Sequence, residues 1–223
     1  AIDHRNSFEK LFALTPPIAD SDAARLRNLK RVVVDALGDA ERDGLDGAGV
    51  LIDDRYGRDA IAVAEPRGVT VAIAFERSGQ QVVQFEHDDW RSRLDDLAGR
   101  TAPSYAKILI RHRADGDAAD VATQLARLAE FSAACTERSV PFLLELITPL
   151  TAAERDGDDA TVERRRTDQI VAAIDQIQAA GVDADVWKVE GSASVDDCRR
   201  VAAAATTGGR DDVGVVVLGA GAP

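Results

Sequence analysis

The sequence predicts an α/β protein in which helices cover a parallel sheet. Short aliphatic runs recur along the chain, and turn residues bound each of them. Amphipathic helical patterns separate most of these runs. The runs are nearly continuous in apolar residues rather than alternating, which is typical of parallel strands that are buried on both faces.

Seven runs are predicted as strands. In chain order they are AIDH (1–4), GVLIDD (49–54), VTVAIAFE (69–76), AKILIRH (106–112), PFLLELI (141–147), DVWKVEG (185–191) and VGVVVLG (213–219). An open dinucleotide-binding sheet needs a glycine-rich loop after its first strand, and AIDHRNSF has none. A (β/α)8 TIM barrel fits the spacing better. We therefore expect one barrel domain over residues 1–223, covering about seven strands and incomplete at its C-terminal end.

Three connecting segments, residues 22–44, 120–139 and 161–181, repeat their apolar residues with a helical period. The stripe predicted for the first of these helices consists of Leu26, Leu29, Val33 and Leu37. Gly181 stands where the third helix should end, because glycine is the usual residue just past a helix C-terminus.

Composition and charge exclude several classes of function. A net charge of −12 and a pI near 4.7 argue against nucleic-acid binding, which needs a basic surface. No apolar run approaches the roughly 18 residues of a membrane helix, and no signal peptide is recognisable. Cys135 and Cys198 are far apart and lie in helical patterns, which favours a reduced, cytoplasmic protein. The oligomeric state stays open.

Charged residues interrupt the apolar strands on faces that are expected to point into the barrel. Only four of the 27 basic residues are lysines, yet two of them lie in predicted strands. Because side chains alternate along a strand, residues two apart share a face. The residues placed on these faces are Asp3, Arg5, Lys107, Arg111, Glu145, Lys188 and Glu190.

Two interpretations of these charges are open. They could form ion pairs that neutralise one another inside the barrel, because charges are rarely buried without partners. Alternatively, a lysine that is desolvated and crowded by another cation has a lowered pKa, so its amine can attack a carbonyl carbon. A nearby carboxylate then moves protons. Arginine cannot serve as this nucleophile, because its guanidinium stays protonated.

Metal and cofactor chemistry have weaker support. The three histidines form no spaced pair of ligands, so we expect no metal and no cofactor. Two turns could bind substrate instead. In LGAG (218–221), Gly219 and Gly221 could present backbone N–H groups to a phosphate. In ERSGQ (76–80), Ser78 and Gln80 could donate hydrogen bonds to a sugar.

Six motifs, one per strand, resemble the class I tagatose-bisphosphate aldolases. They are AIDHRNSF, GVLIDDRYG, FERSGQ, KILIR, FLLELITP and DVWKVEG. The sequence is most similar to the branch that also occurs as an aldolase-like domain (the DUF2090 type) joined to the sugar kinase of myo-inositol catabolism. The resemblance runs over the whole chain, and DVWKVEG and FLLELITP are its specific motifs.

The resemblance implies a role for each matching residue. It implies that Lys188 forms the Schiff base, Glu145 is the acid/base carboxylate, and Lys107 holds phosphate or hydroxyl groups. Asp3 would contact the hydroxyl that loses its proton during C–C cleavage. The implied substrate-binding residues are Arg5, Asp53, Ser78, Gln80, Arg111, Glu190, Gly219 and Gly221. The chain departs from the family at Ala220, where relatives usually carry an arginine, and it lacks the eighth strand.

The expected function is therefore a metal-independent class I aldolase. It would split a phosphorylated keto-sugar or keto-sugar acid into dihydroxyacetone phosphate and an aldehyde. Among the candidate substrates, the resemblance favours 2-deoxy-5-keto-gluconate 6-phosphate. Two alternatives stay open. One is a non-catalytic barrel that binds a sugar phosphate, and the other is a transaldolase-like Schiff-base transferase.

Overall fold

A computed structural model describes residues 1–45 and 47–219, which form two compact units. The first unit consists of Ala1–Gly79, Phe85–Lys107 and Arg138–Val140. The second consists of Gln80–Gln84, Ile108–Glu137 and the chain from Pro141 onward. Ala220 and the predicted phosphate-binding Gly221 lie outside the described residues.

The first unit contains parallel strands with helices between them. Its strands are β1 (Gly49–Asp53), β2 (Thr70–Ala74) and the first half of β3 (Ser104–Arg111), which lie in that order. Its helices are α1 (Asn6–Leu11), α2 (Asp20–Arg42), α3 (Asp54–Ala64) and α4 (Trp90–Ala98), with a 3₁₀ turn at Glu65–Arg67.

The second unit continues the same alternation. The remainder of β3 is followed by α5 (Ala118–Glu137), β4 (Phe142–Ile147), α6 (Asp159–Ala179), β5 (Val186–Glu190), α7 (Val195–Ala205) and β6 (Gly214–Leu218). The strand order is β3-β4-β5-β6. Strand β5 pairs in parallel with β4 on one side and with β6 on the other. The α/β class and the parallel pairing are as predicted.

Local signals explain where several helices begin and end. Asp53, Asp158 and Ser194 precede α3, α6 and α7, and each side chain accepts a hydrogen bond from a backbone N–H of the first helical turn. After α6, Gly181 has φ +84°, and its N–H donates to the Gln178 carbonyl oxygen over 2.9 Å. Gly181 therefore ends the helix as predicted, because a left-handed φ suits glycine.

Two predictions about elements are wrong. The described residues contain six strands rather than seven, because the first run, AIDH, is not a strand. In that run the N–H of Ile2 donates to the Leu51 carbonyl oxygen over 2.7 Å, and a single bond of this kind is not a ladder. The stripe predicted on α2 is also displaced. Leu29 and Val33 are 42% and 41% exposed, whereas the buried row is Leu26, Lys30, Val34 and Gly38.

The described helices are too short or too polar to cross a membrane.

Candidate active site

Lys188 and Glu145 form an ion pair on neighbouring strands of the second unit. The register of β4 and β5 sets them directly side by side, with Lys188 Nζ 3.1 Å from Glu145 Oε1. The Lys188 side chain is 14% exposed and that of Glu145 is 5% exposed. Trp187 and Val189, which alternate with Lys188, are buried. Strand alternation therefore separates the lysine from the tryptophan, as predicted.

Two valines are neighbours of Lys188 in the sheet of the second unit. Val216 of β6 is in register with Lys188 on the side away from Glu145, and it is 44% exposed. Val186 precedes Lys188 on the same face of β5 and is half-buried. The Lys188 side chain, which is 14% exposed, is therefore partly shielded from water.

Glu190, the next residue on this face of β5, connects three elements. Its Oε1 lies 2.9 Å from Arg166 Nη1 of α6. Its Oε2 accepts a hydrogen bond from the Thr148 N–H over 3.1 Å, just after β4. These contacts occupy both carboxylate oxygens, so they give Glu190 a structural function. Its predicted contact with substrate stays a prediction.

Arg111 and Gly219 lie near the ends of strands in the second unit. Arg111 ends β3, its side chain is exposed, and it lines a cleft of about 220 Å³ together with Asp117, Asp120 and Pro149. Gly219 follows β6 and is exposed. Both positions are open to a ligand, and their predicted binding roles stay predictions.

His112, next to Arg111, is a buried neutral side chain. Its Nε2 is 2.7 Å from Gln176 Oε1, and its Nδ1 is 3.0 Å from Gln124 Nε2. An amide oxygen accepts and an amide nitrogen donates, so Nε2 carries the proton. Burial lowers the pKa of His112, and the bond to Gln176 only partly opposes this. The residue is therefore satisfied as a structural histidine.

Arg113 joins the loops that follow β3 and β4. Its guanidinium donates to both oxygens of Glu154, over 2.6 and 3.0 Å, and also to Asp115 and to the Pro149 carbonyl oxygen. The hydrogen bonds from Arg113 and the Thr151 N–H lower the pKa of Glu154 to about 2. A two-pronged contact of this kind holds the loop before α6 in one geometry.

Four charged residues of the first unit form a second cluster. Lys107 Nζ lies 2.7 Å from Asp3 Oδ2 and 3.1 Å from Glu76 Oε1. Arg5 donates to the same Glu76 oxygen over 2.8 Å and to the Glu76 carbonyl oxygen over 2.7 Å. Lys107 is fully buried, and a buried positive charge needs partners. The carboxylates of Asp3 and Glu76 supply them.

Asp53 also lies in the first unit, in a different ion pair. Its Oδ2 contacts Lys30 Nζ, and its Oδ1 accepts from the Tyr56 N–H as the cap of α3. Both partners of the pair are almost fully buried. Burial lowers the pKa of Lys30, and Asp53 opposes that shift. Both carboxylate oxygens of Asp53 therefore have structural partners, and its substrate contact stays a prediction.

The two polar residues of the ERSGQ turn are both half-buried. Ser78 belongs to the first unit and Gln80 to the second. Their predicted hydrogen bonds to a sugar stay predictions.

Sequence reasoning missed two charged residues, Glu76 and Lys30. Glu76 ends an apolar run and is 3% exposed, so its position at the end of a buried strand was the available signal. Lys30 interrupts the apolar side of α2 at the spacing of Leu26 and Val34, a pattern that could have identified it.

No group of three or more His, Cys, Asp or Glu side chains within residues 1–45 and 47–219 is arranged to hold a metal ion. Cys135 is buried in α5, and Cys198 is exposed on α7.

The comparison with known families finds a match over the whole chain. The protein-family model described as "Uncharacterized protein conserved in bacteria (DUF2090)" matches residues 1–223. The chain belongs to this family. DUF2090 membership confirms the family part of the resemblance, and the link to aldolases and to inositol catabolism rests on the motifs alone. The comparison with curated protein sequences finds no match.

Proposed function

We propose that this DUF2090 protein is a metal-independent class I aldolase in which Lys188 forms a Schiff base with a phosphorylated keto-sugar or keto-sugar acid. The observation that carries the proposal is the contact of 3.1 Å between Lys188 Nζ and Glu145 Oε1. It joins a nucleophilic amine to a group that can take up and return protons. In the described part of the chain, Glu145 is the only ion-pair partner of Lys188.

The first half of the reaction uses this pair. Transfer of a proton from the ammonium group to Glu145 leaves a neutral amine, which attacks the ketone carbon of the substrate. The resulting carbinolamine loses its hydroxyl as water after Glu145 returns a proton to it. An iminium between Lys188 and the substrate is left, and Glu145 is again a carboxylate.

Cleavage then uses the iminium as an electron sink. A base removes the proton of the hydroxyl group on the carbon to be released, and the electrons of the broken C–C bond move toward the nitrogen. An aldehyde leaves, and an enamine stays on Lys188. Protonation of the enamine and hydrolysis by water release dihydroxyacetone phosphate and restore the amine. The resemblance gives Asp3 the contact with the reacting hydroxyl and gives Lys107 the phosphate or a hydroxyl group.

Further parts of the proposal rest on the motifs or on composition. These are the complete (β/α)8 barrel, a single domain over residues 1–223, 2-deoxy-5-keto-gluconate 6-phosphate as the substrate, and a cytoplasmic location. The proposal also includes a homo-oligomer.

Borohydride trapping tests the Schiff base. The full chain is treated with dihydroxyacetone phosphate and sodium borohydride, and adducts are located by intact mass and peptide mapping. We expect one adduct, on Lys188. It should disappear in Lys188→Arg, which keeps a cation beside Glu145, and persist in Lys10→Arg, which alters an exposed lysine. Absence of an adduct, while the ligand still raises the melting temperature, would favour the non-catalytic barrel.

The role of Glu145 is tested separately. Glu145→Gln keeps the size and a hydrogen-bonding group but cannot exchange protons, so we expect turnover to fall by about 10²- to 10⁴-fold. Trapping on Lys188 should still occur, at a lower rate. Unchanged turnover of a cleavable keto-sugar phosphate in this variant would assign the proton transfer to another group.

A further inference from the structure

Helices α1 and α2 of the first unit expose a concentration of large apolar side chains. Five of the nine exposed large apolar side chains in the described part of the chain lie on these helices or directly after α1. They are Leu11 (75% exposed), Phe12 (37%), Leu29 (42%), Val32 (63%) and Val33 (41%), and together they form the α1–α2 face. A concentration of this kind is typical of an interaction surface rather than of free surface.

The spacing on α2 indicates that another helix packs there. Leu29, Val32, Val33 and Ala36 are exposed and recur at i, i+3, i+4 and i+7, which places them in one stripe. This stripe runs beside the buried row that begins at Leu26, so α2 has a second apolar side. An exposed apolar side of a helix can pack against a second helix.

A groove accompanies the stripe. It has a volume of about 240 Å³, lies along α1 and α2, and is lined by Ile2, His4, Phe8, Phe12, Leu29, Lys30 and Val33. Among the described residues that line it, only Lys30 has a charged side chain, and its amine is already bound to Asp53. The groove can therefore receive apolar side chains from a partner.

We infer that the α1–α2 face is a homodimer interface, in which α2 packs antiparallel against α2 of a second copy across a two-fold axis near Val32. The charged residues beside the stripe indicate that the partner is a second copy of the same chain. Arg25 lies seven residues before Val32, and Asp39 lies seven residues after it. By helical geometry both flank the stripe on the same side.

An antiparallel copy sets Arg25 of each protomer beside the partner's Asp39, so one symmetric interface contains two such pairs. A parallel arrangement would oppose like charges instead. Within one copy, Arg25 Nη1 lies 3.3 Å from Asp22 Oδ1, and Asp39 contacts Arg42 and Arg67. The Arg25 and Asp39 side chains are nevertheless 68% and 58% exposed, so both can also reach across an interface. The face is thus complementary to itself in charge as well as in apolar character.

Sedimentation equilibrium of the full chain tests the dimer. We expect a species of twice 23.8 kDa and a monomer in the Val32→Glu variant. Val195→Glu is the matched control, because Val195 is also 63% exposed but lies on α7, and this variant should dimerise like the wild type. A wild-type chain that is monomeric at all concentrations overturns the proposal and leaves the face to a different protein. So does a Val32→Glu variant that still dimerises normally.

Charge reversal tests the antiparallel geometry. Arg25→Asp or Asp39→Arg alone should weaken dimerisation by about threefold to thirtyfold, because each change turns two attractive contacts into repulsive ones. The double variant should recover most of the loss, since both pairs are then restored with opposite sign. If the double variant dimerises more weakly than either single variant, the antiparallel pairing is wrong.

Discussion

At the scale of single residues, Lys107, Lys30 and Lys188 differ in how much of each side chain is exposed to water. Lys107 and Lys30 are almost fully buried, and the carboxylates of Asp3, Glu76 and Asp53 balance their charges. Lys188 is more exposed, at 14%, and its ion-pair partner lies on the adjacent strand. A substrate carbonyl can therefore reach the Lys188 amine with less rearrangement than it would need at a fully buried lysine.

The buried, neutral His112 makes stability depend on pH. The pKa of His112 is lower in the folded state than in the unfolded state. As the pH falls below about 6.5, the unfolded state therefore binds more protons than the folded state does. The free energy of unfolding should thus decrease from pH 7.5 to 5.5, and His112→Gln should show a smaller decrease. Urea denaturation at several pH values measures this. His4→Gln, at an exposed histidine, serves as the control, and equal slopes for wild type and His112→Gln would contradict the prediction.

At the scale of elements, α3 approaches β1 closely because Gly57 faces Ile52. A Cβ atom at position 57 would lie 2.4 Å from Ile52 Cγ1 and 2.8 Å from Ile52 Cδ1, far inside van der Waals contact. Gly57 is buried within the helix. The glycine therefore serves packing, although glycine weakens a helix interior.

Gly57→Ala should destabilise the protein by up to about 2 kcal/mol. Alanine gains about 1 kcal/mol in helix propensity, but overpacking a core costs about 1–3 kcal/mol and should exceed that gain. Urea denaturation of the single variants and of Gly57→Ala/Ile52→Ala forms a double-mutant cycle. Removing the side chain that clashes should make the double variant more stable than the sum of the single changes implies. Simple additivity would show that Ile52 is not the obstacle.

At the scale of the whole molecule, the excess of acidic residues makes hydrogen-bonded carboxylates important for stability. Glu154 is held by Arg113, Glu65 accepts from Thr101, and Asp158 caps α6. These contacts lower the pKa of all three groups, and that of Glu154 falls to about 2. Each of these carboxylates therefore stabilises the folded state when it is charged.

Stability should consequently fall in acid. A depressed carboxyl pKa contributes its full stabilisation above the unfolded value, about 4, and this is lost as pH falls toward the folded value. The free energy of unfolding, measured by urea denaturation, should decrease from pH 5 to pH 2.5. In Glu154→Gln the decrease should be smaller, because that group no longer titrates. A steeper decrease in this variant than in the wild type would contradict the assignment.

Much of the fold was predictable because local rules dictate it. Continuous apolar runs specified all six strands within a few residues. Gly181 marked the end of α6 for a backbone reason that depends on no distant residue. The shared face of Lys188 and Glu190, and the burial of Trp187 on the other, followed from strand alternation.

Tertiary structure decided which charges pair and which apolar side chains stay exposed. The register of β4 against β5 set Glu145 beside Lys188, and no local pattern specifies the register of two strands that are 43 residues apart at this pair. Likewise, α2 carries apolar residues around more than one side, and its periodicity alone cannot choose the buried one. Packing against α3 buried the row containing Lys30, and Asp53 on β1 gives that lysine an opposite charge. The amino-acid sequence thus determined the elements, whereas long-range contacts determined the pairing of charges, because the free energy of a buried charge depends on partners that only the folded chain brings near.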